Sequence, residues 1–144
     1  MLLIVASCAV LIAPTTLIHY EVLRGLNSTL GRLNIPRRSK LLVIFCAFFA
    51  HILETAVYGL ALFWLVKYAG VGGLHGLDDF SLVNCMYGSP ETFTSLGFGD
   101  IAPVGPIRLV AGLEALNGLL LIGWSASYVT IAMERFWKAE DKSP

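Results

Sequence analysis

The run Thr94-Ser95-Leu96-Gly97-Phe98-Gly99-Asp100 lies between long apolar stretches of the chain. Glycine adopts positive φ about as readily as negative φ. A strand with glycine at alternate positions can therefore turn successive carbonyl oxygens toward one side. A ring of such carbonyls can replace the water around a bare cation. The plainer reading of the same residues is a glycine-rich turn between helices.

A second group of residues with chemical potential lies inside the apolar runs. His51 and Glu54 are three apart, so they share one helix face. At 1.5 Å per residue, Glu54 sits roughly 20 Å along its run. Glu114 and Asn117 form a similar pair, and His19 and Glu21 a third. Ionisable groups at such depth are rare and usually paired. Two readings follow: a proton or metal sensor joining helices, or interhelical hydrogen bonding, of which the second is preferred. No spacing matches a zinc protease or an activated nucleophile, so the expectation is that the protein is not an enzyme.

The elements that must position these groups read as membrane spans. Of 144 residues, 56% are hydrophobic and 14% charged, whereas a soluble domain carries about 25% charged residues. Net charge is zero, which gives no reason to expect a nucleic-acid partner. Cys8, Cys46 and Cys85 are odd in number and widely spaced, which argues against both a disulfide framework and a zinc site.

Three runs are long enough to cross a bilayer as helices: residues 1–23, interrupted by Pro14, then 41–66 and 107–133. Residues 80–93 are too short to span and read as a re-entrant helix, which needs protein or a water-filled cavity around its ends. Leu23, Leu26, Leu30 and Leu33 recur at helical spacing. They suggest an amphipathic interfacial helix ended by Pro36, or a plain extension of the first span. The first run lacks the basic start of a signal peptide and exceeds its usual apolar length, so it is read as a span.

Arg24, Arg32, Arg37, Arg38 and Lys40 follow the first span, and Arg135, Lys138 and Lys142 follow the third. Between the second and third, only Lys67 and Arg108 are basic, against Asp78, Asp79, Glu91 and Asp100. The positive-inside rule then places the N-terminus outside and the C-terminus in the cytoplasm, in a cell (inner) membrane. No span carries regularly spaced Arg or Lys, so a voltage sensor is not expected. The short tail after Met133 leaves no ligand-binding domain, and a separate regulatory subunit is a candidate partner.

From Ser89 to Val104 the chain resembles the pore helix and selectivity filter of tetrameric potassium channels, in particular the small bacterial type with two helices per pore. The resemblance covers about residues 41–135; Arg108 to Ala111, Gly118 and Gly123 fall where that family starts its inner helix and carries its glycines. Residues 112–127 also look like a group of small bacterial channel proteins.

The resemblance implies an all-α membrane protein: three transmembrane helices plus a re-entrant pore helix and filter loop, assembled as a homotetramer. It divides the chain into an N-terminal span with interfacial helix (1–40), a pore domain (41–135) and a tail (136–144). Within the pore domain it implies an outer helix at 41–68, a pore helix at 80–93, a filter at 94–100 and an inner helix at 106–133.

By the same resemblance, Ser95, Leu96, Gly97, Phe98 and Gly99 hold permeant potassium ions with no organic cofactor. Tyr87, Glu91, Thr94 and Asp100 support the filter. Leu119, Ile122, Ala126 and Met133, with Ala115, line the cavity and gate. Gly118 matches the hinge glycine, with close packing as the alternative reading. Glu91 and Asp100 are expected to meet behind the filter and share a proton, coupling it to external pH; Arg108 is an alternative partner for Asp100. Phe98 lacks the hydroxyl that a tyrosine there would use to bond the pore helix, which implies a more deformable filter. The expected function is passive potassium conduction. The alternatives are a weakly selective cation channel and a non-conducting pore-fold scaffold or regulatory subunit.

Overall fold

The computed structural model describes residues 2–30, 36–76 and 79–140. Three helices dominate: α1 (Leu2–Leu30), α2 (Pro36–Lys67) and α4 (Arg108–Glu140). Each contains a segment long and apolar enough to cross a membrane. Between α2 and α4 lie strand β1 (Gly73–His75), the short helix α3 (Leu82–Phe93), strand β2 (Ala102–Val104) and a 3-10 turn (Gly105–Ile107).

Apolar composition fixes α1 as one rod. Pro14 sits within it without ending it. The Thr15 hydroxyl donates to the Leu11 carbonyl at 2.8 Å, adding a bond in the turn that the missing proline N–H weakens. Residues 24–30 continue this helix, and Leu23 and Leu26 are buried. The leucine stripe is thus an extension of the first span, and the separate interfacial helix is not seen among the described residues. Pro36 opens α2 instead of closing a helix, a position where its fixed φ suits the first turn. Leu33 lies outside the described residues.

The core forms where α1, α2, α3 and α4 meet. Ile4, Leu11, Tyr58, Leu62, Phe93, Ile107 and Leu121 pack together, and Leu26, Val43 and Ala132 form a smaller cluster further along. Phe45, Phe48, Phe49 and Ile52 remain exposed on α2, as expected for a face that meets lipid. α3 begins at Ser81, whose hydroxyl accepts from the Asn84 N–H at 3.2 Å and satisfies one orphan donor of the first turn.

The two strands were not expected from the sequence. β1 and β2 pair antiparallel, Gly73 with Val104 and His75 with Ala102. This ladder ties the chain just after Asp100 to the loop that leaves α2.

Candidate functional site

Residues 94–100 leave the end of α3 through a turn at Thr94 and Ser95 as an exposed, irregular segment with no helix of its own. Ser95, Gly97 and Gly99 have φ of 57°, 52° and 86°, and no other non-glycine residue described has positive φ. Left-handed residues therefore alternate with Leu96 and Phe98. Alternation of this kind is the backbone pattern of a nest, in which successive N–H groups converge on one side.

Three of these N–H groups are tied to the end of α3. Ser95 donates to the Thr92 carbonyl at 3.0 Å, and Leu96 and Gly97 both donate to the Glu91 carbonyl at 3.0 and 3.3 Å. The last turn of α3 thus anchors the strand from behind. Thr94 caps that turn, with its hydroxyl donating to the Pro90 carbonyl at 2.7 Å. Leu96 and Phe98 are 62% and 67% exposed, so the segment has little cover within its own chain.

Behind the strand the three supporting residues are arranged differently from the expectation. The Tyr87 hydroxyl donates to Asp100 Oδ2 at 3.0 Å. Glu91 is buried, its Oε1 has no hydrogen-bond partner, and no direct bond joins it to Asp100 among the described residues. The Tyr87 phenol stands between the two acids. The carboxylates of Glu91 and then Asp100 hold that phenol above its ordinary pKa range, which keeps it a donor. Among the described residues Arg108 is not ion-paired with Asp100. A phenol hydroxyl thus reaches the segment from Tyr87 on α3, at Asp100, two residues beyond Phe98.

α4 crosses the end of α3 at Gly118. A Cβ there would lie 2.0 Å from the Phe93 carbonyl oxygen, so only glycine permits this approach. α4 runs through Gly118 without a break in helix. Leu119 and Ala126 are exposed, whereas Ile122 and Met133 pack against the two apolar clusters.

The buried polar residues of the helices form three levels. At the first, Ser89 Oγ lies against both the Thr55 carbonyl (2.7 Å) and Glu114 Oε1. The Thr55 carbonyl can only accept, so the single hydroxyl hydrogen of Ser89 goes there. The contact with Glu114 is then satisfied when Glu114 carries a proton and donates it. At the second level Asn117 Nδ2 donates to Thr15 Oγ1 (2.9 Å) and Tyr58 Oη (3.1 Å). At the third, Glu54 meets His51 as expected, at 2.8 Å, and also His19 at 2.8 Å. Ser125 completes this level, 3.1 Å from His51 Nε2.

Two of the expected pairs are therefore redistributed. Glu21 pairs with Arg24 at the surface, 2.9 Å apart, which leaves His19 to Glu54. Glu114 and Asn117 bond to other helices and not to each other. Thr15, Tyr58, Ser89 and Ser125 were missed as partners, because a lone Ser, Thr or Tyr in an apolar run carries no distinguishing pattern.

Three helices long and apolar enough to cross a membrane, with a short helix and an irregular glycine-containing segment between the second and third, fit a mainly helical membrane channel. The family model described as "Ion channel" matches residues 40–135. The chain belongs to this two-transmembrane ion-channel family, the potassium-channel family, and is a multi-pass membrane protein with an ion-channel domain. No curated protein and no solved structure matches the chain.

Proposed function

We propose that four copies of this chain assemble around the 95–99 strand and conduct potassium passively through it. The observation that carries this reading is the alternation of left-handed φ at Ser95, Gly97 and Gly99, with the N–H groups of Ser95, Leu96 and Gly97 tied back to α3. The carbonyls of Ser95, Leu96, Gly97 and Phe98 are then free to act as cation ligands, and the Ser95 hydroxyl adds one more. One strand supplies only one side of a coordination shell. Its exposure in the single chain supports a shell completed by identical neighbours around an axis. The C-terminal end of α3, the negative end of its dipole, favours a cation near its axis.

Tyr87, Glu91, Thr94 and Asp100 hold the strand from behind. Leu119, Ile122, Ala126 and Met133 line the route on the inner side, and Gly118 lets the inner helix lie against the filter's base. The basic residues flanking α1 and α4 support an external N-terminus and a cytoplasmic C-terminus. Flux from purified protein in liposomes tests the reading. Potassium flux that excludes sodium is the expected result. Equal flux of both would assign a weakly selective channel, which the missing hydroxyl at Phe98 favours as the second reading. Absence of flux under every condition would assign a scaffold.

A further inference from the structure

The third polar level has the form of a closed ring. His19 Nδ1 and His51 Nδ1 face the two oxygens of Glu54, each at 2.8 Å. The far nitrogens of the same rings face one hydroxyl, Ser125 Oγ, at 3.4 and 3.1 Å. His19 and Glu54 are fully buried, and the His51 side chain retains 21% exposure. Trp124 covers His19 at 5.2 Å between ring centres.

Donor and acceptor counting constrains what occupies the ring. A neutral imidazole has one N–H and one bare nitrogen. If both Nδ1 atoms carry their protons toward Glu54, both Nε2 atoms are acceptors. Ser125 has a single hydroxyl hydrogen, so without a cation the ring closes only if one further proton sits on an imidazole or on Glu54. If both Nδ1 lone pairs are instead given to a cation shared with Glu54, each ring keeps its one proton on Nε2. Ser125 then accepts from both with its two lone pairs, and nothing is left unpaired. A hydrogen bond from the non-ligating ring nitrogen is the usual support of a metal-bound histidine.

The donor atoms of His19, His51 and Glu54 all lie within 4.8 Å of one another. Ligand atoms around a tetrahedral zinc stand roughly 3.3 Å apart, given bonds of about 2.0–2.1 Å, so the hydrogen-bonded nitrogen–oxygen pairs, 2.8 Å apart, must open slightly and the longer separations, up to 4.8 Å, must close. We propose that His19, His51 and Glu54 form an intramembrane site for a divalent transition cation of the zinc class. Ser125 acts as a positioning residue, and a water entering past His51 takes the fourth place. Two imidazoles and one carboxylate form a nitrogen–oxygen set suited to zinc. Glu54 offsets half of the ion's charge, and the bound water, acidified by the metal, can offset more. The site is complete within one chain and does not depend on conduction.

Cobalt(II) is the probe, because tetrahedral cobalt absorbs visible light far more strongly than the hydrated ion. Full-length protein, stripped with chelator, is expected to take up about one cobalt per chain with intense visible bands that zinc abolishes. His19→Gln and Glu54→Gln should lose the bands while keeping helical content and elution volume. His75→Gln, which alters a histidine remote from the site, should keep them. Ser125→Ala should weaken binding about 10–100-fold. Zinc-edge X-ray absorption on the unaltered protein needs no variant and should show two imidazoles and oxygen in the first shell. Stripped protein that gives no visible bands, bands that survive in Glu54→Gln, or a first shell without two imidazoles would overturn the site. A proton held as an imidazolium–carboxylate pair would then account for the ring.

Discussion

As proposed cation sites, the strand at residues 95–99 and the ring of His19, His51, Glu54 and Ser125 are opposite solutions to holding a positive charge in an apolar slab. The strand offers backbone oxygens; side-chain identity at Leu96 hardly matters to it. The ring offers side-chain atoms whose identity decides everything. The strand is exposed and one-sided in a single chain, so it needs neighbours. The ring is buried and complete within one chain, drawn from three helices. A cation that must pass is best met by weak, repeated ligands, and one that must stay by few and specific ones. The two regions meet that distinction within about one helix length, and Phe93, 5.9 Å from His51, lies between them.

The sharpest way to break the comparison is at the backbone. Gly99→Ala or Gly97→Ala forces a Cβ into left-handed φ, at about 1–2 kcal/mol per residue, and a fourfold assembly incurs it four times. Potassium flux should be lost while helix content by circular dichroism is unchanged; a parallel fall in helicity would mean that the strand is part of the structural core.

Next is the contact between the inner helix and the filter's base. Gly118→Ala must push apart α4 and Phe93 and should cost about 1–3 kcal/mol in thermal unfolding. Gly123→Ala, with open space around it in the chain, should cost nothing and add up to about 1 kcal/mol of helix propensity. If the two variants melt alike, the close approach at Gly118 carries no energy. A smaller effect is expected behind the strand. Tyr87→Phe removes the bond to Asp100 and should speed inactivation in single-channel recordings, and Phe98→Tyr should slow it. Recordings unchanged in both would remove the phenol from filter support. The smallest effect is expected at the second polar level. Asn117→Leu should lower stability by about 0.6–1.7 kcal/mol, the range for interhelical bonds in membranes, and leave conduction intact.

The same contrast explains what was legible in the sequence. Positions 94–100 are contiguous, so local backbone requirements are written directly as glycines, and the strand could be read without knowing where any helix lies. His51 and Glu54 were visible as a pair because helical spacing is also local. His19 was assigned to Glu21, its near neighbour, because nothing in the sequence gives the register of α1 against α2, on which the bond to Glu54 depends. The polar partners on α4 were obscure for the same reason. Tyr87 was identified as filter support, but not its bond to Asp100, which depends on how the strand turns back past α3. The pairing of β1 with β2 is three residues long, too short for periodicity to register. The course of the first helix through Pro14 turns on compensating bonds rather than on propensity.

Glu114, Asn117 and Ser125 all lie on the buried side of α4, and each is hydrogen-bonded to another helix. Twisting this rod about its own axis would break bonds at every level together. Beyond Ser125 the rod is held against its neighbours by the apolar contacts of Val129, Ala132, Met133 and Phe136, which slide more readily than hydrogen bonds break. The helix is therefore held by directional bonds as far as Ser125 and by apolar packing beyond it.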